Sequence, residues 1–341
     1  MKIVVRKFLM FMLMAGTILF CACKKIASKK AGSDSVAVFD NLWKTLDSRY
    51  AMFNYKKVDW KKIYTQYRPL VSSDMGDEQL FSICTAMLDS LKDGHVSLIA
   101  KNNRYAYNGY YSSYTHNFNY DQLKSRYLKN SVSQGVLTYV TFDQVGYLYI
   151  PSFGKQLKTD DLDNVLKILS PLDALIIDVR DNTGGESALV DFLTTRFLNE
   201  KKLVKYDIYK KGAKHDDFFE PVAKYLSPGG DDFSNKKIVV LTNRRCFSSC
   251  NDFVLYMSLL PNVVIIGDQT GGGGGTPFNY ELPNGWLVGY SASYATAPDG
   301  HNIEGGVIPD ISMSNTLEDE SAGRDAILEA AFKQLNLSYI P

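Results

Sequence analysis

Residues 237–254 read KIVVLTNRRCFSSCNDFV, and the fold turns on how this stretch is parsed. Ile238, Val239, Val240 and Leu241 form an apolar, largely β-branched run that gives way to the polar Thr242-Asn243-Arg244-Arg245. An apolar pattern resumes at Phe253, Leu255, Met257, Leu259 and Leu260 and can be wound as a helix. Strand, short turn and helix place Ser248 and Ser249 at a helix N-terminus, where backbone N–H groups lack partners and favour negative charge. On this stretch alone two readings stay open. Either serine is an N-cap, or Ser248 is a nucleophile whose oxyanion would meet those donors.

The flanking sequence extends the strand–helix alternation. Residues 174–179 (ALIIDV) read as a strand covered on both faces, leading into Arg180-Asp181-Asn182-Thr183-Gly184-Gly185-Glu186 and a helix over 187–198. Gly184 and Gly185 suit either close backbone approach to a ligand or a tight turn. Residues 203–209 are a strand, a polar loop runs through Pro228-Gly229-Gly230, and 263–267 are a further strand. The run Gly271 to Gly275 lacks the Lys-Ser/Thr that a P-loop requires. Upstream, 136–142 and 145–150 form a hairpin, and 159–169 form a helix. Residues 280–294 are strand-like and 321–335 are a closing helix. The fold class is α/β, with some antiparallel edges.

The chain opens differently. Apolar residues at helical spacing predict helices over 36–53, 58–70 and 77–92, with Gly94 as the stop and His95 just past it. A histidine there satisfies helix-end carbonyls or belongs to an ordered functional turn. Residues 102–120 are dense in Tyr and Asn and either line a groove or cover the core.

Composition sets limits. The 341 residues are 45% hydrophobic with a net charge of +1, enough for a large core and without the basic block that nucleic acid requires. Lys2, Arg6 and Lys7 precede an apolar run ending in Cys21-Ala22-Cys23, the pattern of a secretory signal over 1–22 with Cys23 as a lipidation site. Residues 23–35 read as a flexible tether anchored in a bacterial envelope membrane. Cys84, Cys246 and Cys250 remain, too few for a disulfide framework. Cys246 and Cys250 flank Ser248 and read as small core residues, although a bond between them is sterically allowed. The four histidines are scattered, so neither a metal nor a cofactor is expected.

Four stretches in order, LKDGHVSL, ALIIDVRDNTGGE, VVLTNRRCFSSCNDF with VIIGDQTGGGGG, and APDGHNIEGGVIPDI, resemble the tail-specific or C-terminal-processing serine peptidases. The resemblance is greatest to the branch holding the tricorn core and the repeats of interphotoreceptor retinoid-binding protein. It implies a crotonase/Clp-protease-like α/β core, here over 101–341 beside the helical subdomain of 36–100; many members insert a PDZ domain, but residues 101–141 are short, aromatic and lack its glycine-containing carboxylate-binding loop, so none is expected. The processing enzymes carry a lysine 25 residues beyond the serine; here that position is Gly273. A serine hydroxyl needs a base, and the tricorn-like branch uses histidine. The resemblance then implies Ser248 as nucleophile, His95 as base, Glu304 as the carboxylate behind it, and an oxyanion hole from Ser249 with Gly184 or Gly185. Peptide or protein would be the substrate. Asn251 stands where relatives often carry an acid, Ser249 stands where tricorn is acidic, and Cys250 is an alternative nucleophile. The rival reading is a non-catalytic lipoprotein that binds apolar ligands or peptides in the same cleft.

Overall fold

The computed structural model describes residues 34–337, so the signal sequence, Cys23 and most of the tether lie outside the described residues. Its centre is a seven-stranded sheet in the order Ile311–Ser312, Val263–Gly267, Lys237–Thr242, Ala174–Asp178, Val145–Tyr149, Leu137–Phe142, Val132–Gln134. The first five strands run parallel, and the last two are added antiparallel as the expected hairpin and one further strand. Side chains alternate across the central strands. Leu175, Ile177, Ile238, Val240 and Ile265 face one layer of helices, Thr159–Leu169, Ser187–Thr194 and Ser249–Ser258. Ala174, Ile176, Val239, Leu241 and Ile266 face the other layer, formed by Tyr120–Arg126 and Ala326–Gln334. Burial on both faces explains why these strands read as near-continuous apolar runs.

The helices Ser35–Arg49, Trp60–Tyr67 and Asp77–Asp89 build a second core around Phe39, Leu42, Trp60, Leu88 and Leu91. That core closes on an antiparallel sheet of Pro277–Glu281, Leu287–Ser291, Ser97–Ile99 and Arg104–Ala106, which contributes Val288 and Tyr290. Strands from late in the chain therefore complete the packing begun by its first helices.

Several expectations change: the first helix ends at Arg49, and the closing helix is Ala326–Gln334 behind a short Leu317–Ser321. The third helix ends at Asp89 rather than Lys92. Gly94 is not its stop: a Cβ there would lie 2.6 Å from the Phe247 ring, so glycine makes room. The stretch expected as one strand-like run over 280–294 is two strands and the start of a third, Ser293–Thr296, broken by a turn at Asn284-Gly285. The loop before Pro228 contains a strand, Val222–Leu226, paired to Lys202–Tyr209 at an edge where most of its residues stay exposed. Exposure on both faces removed the alternation that would have marked it.

Candidate active site

Three strand ends deliver the site. Past Thr242, the chain turns through Asn243 to Phe247 and enters the helix Ser249–Ser258 at Ser248. Ser248 has φ +57° and ψ −126°, a strained conformation for a residue with a Cβ. Its side chain makes no cap hydrogen bond, so the N-cap reading does not hold. Its Oγ instead lies 3.0 Å from His95 Nε2, and Ser248 is partly exposed. The turn is pinned from below, because Ser248 N–H donates to Gly272 O at 2.9 Å and Phe247 N–H to Asn182 O at 3.2 Å.

The glycine run after Val263–Gly267 serves this packing. A Cβ on Gly273 would lie 2.5 Å from the Phe247 ring, and one on Gly272 would strike Glu304 O. The ring of Phe247 is held between Tyr110, stacked at 4.2 Å, and His95, at 4.8 Å. The Tyr-rich stretch is thus part of the floor under the histidine. Arg244 lies over Tyr114 at 4.0 Å and Arg245 over Tyr111 at 4.9 Å, fastening the same stretch to the approach turn.

His95 sits in a turn shaped by Asp93, a residue that sequence reasoning passed over. Asp93 is fully buried; its Oδ1 accepts the His95 N–H at 2.7 Å and its Oδ2 accepts the Ser291 hydroxyl at 3.0 Å. Burial lowers the His95 pKa and Lys56 lowers it further, while Asp93 and Asp252 pull the other way. The imidazole is therefore neutral near pH 7, as a base must be. With Nε2 accepting from Ser248, the proton resides on Nδ1, which has no hydrogen-bond partner among the described residues.

Glu304, the carboxylate assigned to orient His95, is not hydrogen-bonded to it here. Its Oε1 is 2.7 Å from Lys56 Nζ, and its Oε2 accepts the Gly274 N–H at 3.0 Å. Burial and the neighbouring Asp93 push Glu304 up to about 7, against the opposing pull of Lys56 and Gly274. Asn251 holds this segment to the helix that follows Ser248: its Nδ2 donates to Ile303 O at 3.2 Å and its Oδ1 accepts from Thr270 Oγ1 at 2.6 Å. Both groups are neutral hydrogen-bonding partners, so an amide does here what a carboxylate could not, donating as well as accepting.

The loop Asn182–Gly185 lies against the serines. A Cβ on Gly184 would be 2.6 Å from Phe247 O and 3.0 Å from Ser249 N. Gly184 N–H already donates to Asn182 Oδ1 at 2.9 Å, which removes Gly184 as an oxyanion donor. The N–H groups of Gly185 and Ser249 have no acceptor among the described residues. Cys246 and Cys250 are free and fully buried, and burial pushes the Cys250 thiol up, so the alternative nucleophile is excluded.

The comparisons agree with this architecture. The description Peptidase family S41 matches residues 144–313, and Tricorn protease C1 domain matches residues 37–89. A crystallised protein from Parabacteroides merdae, provisionally described as a peptidase, is 40% identical, with 89% of this chain and 97% of that chain covered and a TM-score of 0.84. Mature CPAF is 14% identical over 89% of this chain and 96% of its own, with a TM-score of 0.66. The photosystem II D1 C-terminal processing protease is 14% identical over 82% and 93%, with a TM-score of 0.53. The last two show a shared fold. The family match over residues 144–313, together with the near-complete match at 40% identity, places this chain in peptidase family S41, as a serine-type peptidase.

Proposed function

We propose that this peptidase works through an acyl-enzyme on Ser248, with His95 as general base and Glu304 as the carboxylate whose charge supports the imidazolium. The 3.0 Å approach of Oγ to Nε2 carries the reading. As Oγ bonds to the substrate carbonyl carbon, its proton passes to Nε2, and the carbonyl π electrons move onto oxygen. The Ser249 and Gly185 N–H groups supply the oxyanion donors, each worth roughly 3 kcal/mol when well placed. The imidazolium then gives its proton to the departing amine, and water repeats the sequence to release the acid. Glu304 is linked to His95 indirectly, through Asp93 and Lys56, whose charges act on both groups.

Digestion of unstructured protein by the purified chain tests this. Ser248→Ala and His95→Ala should each slow cleavage by more than about a thousandfold, and Glu304→Gln by at least roughly tenfold. Undiminished cleavage by Ser248→Ala would refute the assignment. The sequence of residues 1–35 further supports export and a lipid anchor at Cys23, which would set the peptidase to work in the bacterial cell envelope.

A further inference from the structure

Lys56 reaches the site from outside the peptidase core. It closes the short helix Phe53–Lys56, and its ammonium is largely buried, with 17% of the side chain exposed. It makes two polar contacts among the described residues, the 2.7 Å ion pair to Glu304 Oε1 and a hydrogen bond donated to Lys92 O at 3.0 Å, and lies over the Tyr55 ring at 5.9 Å. Lys92 holds φ +47° and begins the turn Lys92-Asp93-Gly94-His95. One ammonium thus bridges the carboxylate segment and the base segment. Neighbouring residues reinforce the bridge. Ala51 N–H donates to Ser291 O at 2.9 Å, and Ser291 in turn bonds Asp93; the Tyr55 hydroxyl lies 2.7 Å from where a Gly305 Cβ would stand.

We propose that Lys56 is a positioning residue of the active site: from the helical N-terminal unit it clamps the Glu304 carboxylate and ties it to the turn that carries His95. The inference rests on the Ser248–His95–Glu304 reading and adds a fourth member to it. Lys56 is not the base. His95 occupies the hydrogen-bonding position at Ser248 Oγ, and although burial lowers the Lys56 pKa, Glu304 and Asp93 more than restore it, keeping the group a cation. Its work is electrostatic. The groups facing Glu304 are the Gly274 N–H, the buried Asp93 carboxylate, the Tyr50 phenol and Lys56, and among them Lys56 is the only cation. Two buried carboxylates share one ammonium, so losing it would hold Glu304 protonated to higher pH and leave the imidazolium without its countercharge.

The test measures the second-order rate of fluorophosphonate labelling of the full-length protein from about pH 5 to about pH 9. It compares wild type, Lys56→Met, Lys56→Gln, Lys56→Arg, Glu304→Gln and the Lys56→Met/Glu304→Gln double variant. Ionised Glu304 accumulates as pH rises through about 7, so wild-type labelling should climb there. Lys56→Met should move that limb upward by roughly one pH unit or more and slow labelling at neutral pH roughly tenfold. Lys56→Arg should restore the limb. Lys56→Gln, which keeps a donor without the charge, should shift it as Met does, and it serves if Lys56→Met does not fold. In the Glu304→Gln background, Lys56→Met should produce a clearly smaller displacement, the remainder being the direct release of His95 from the Lys56 charge. A limb that stays in place in both Met and Gln variants, whether the rate is unchanged or falls uniformly with pH, overturns the positioning role while leaving the Ser248–His95–Glu304 reading intact. Wild type that is never labelled, or Glu304→Gln labelling at the wild-type rate, overturns that reading and this inference with it.

Discussion

Ser248 is held at φ +57° by bonds on both of its sides, and that strain aims its hydroxyl at His95 instead of at the helix it precedes. Gly184 makes this geometry affordable: at φ +94°, with no Cβ, it lets the Asn182–Gly185 loop rest on Phe247 O. Gly184→Ala should therefore displace the nucleophile turn, costing about 1–3 kcal/mol of stability and most of the labelling, as measured by chemical denaturation and probe reactivity. Wild-type values for both would contradict the packing described. At this scale the sequence was partly readable. His95, Ser248 and Glu304 lie in motifs with a recognisable order, so they could be named one by one. Asp93 was inside one of those motifs and was missed, because an aspartate two residues before a histidine looks like any turn residue until its carboxylate is seen to accept the histidine's N–H. Lys56 had no local signal at all; its partner is fixed only by folding.

At the scale of elements, the helix Ser249–Ser258 and the Ile303–Gly305 turn are joined by Asn251, whose amide links Ile303 O and Thr270. Thr270 Oγ1 also accepts the Val307 N–H at 2.6 Å, so three segments share one buried network. Asn251→Leu should leave these groups unpaired, lowering stability by about 2–4 kcal/mol and loosening Glu304. Asn251→Asp tests the amide specifically. It keeps the acceptor but puts a carboxylate against Ile303 O, and it should be destabilised at neutral pH and recover as acid protonates it, read as a thermal midpoint that rises on acidification. A midpoint independent of pH would contradict the donor role. Elements buried on one or two faces were legible in the sequence: the helix at residues 159–169 was predicted to the residue, because Leu162, Val165, Leu166 and Leu169 make a single stripe. The edge strand Val222–Leu226 was not, because its mixed, exposed residues carry no period.

Across the whole molecule, buried charge at the strand ends locks the C-terminal helix to the sheet. Arg180 is fully buried, chelates Asp178 at 2.6 and 2.9 Å, and reaches Asp325 at 2.9 Å; Asp325 also caps the helix Ala326–Gln334. Arg180→Met leaves two carboxylates without their cation and should cost about 3–5 kcal/mol, seen as a lower denaturant midpoint. The α/β core was legible because its strands are covered on both faces. The second core was only half legible, since its helices showed their stripes but the sheet they cover comes partly from residues 277–291. The proposed anchor makes its own prediction: Cys23→Ala should move the protein out of the membrane fraction on cell fractionation, and tight association that survives the change would count against lipidation.

An activated Ser248–His95 pair underlies the proposed chemistry, and intact-mass analysis after fluorophosphonate treatment is its sharpest test. Wild type should gain one adduct that peptide mapping places on Ser248, with none in Ser248→Ala and labelling slowed by more than about a hundredfold in His95→Ala. A folded wild-type protein that gains no adduct, or one that carries it elsewhere, would contradict the claim.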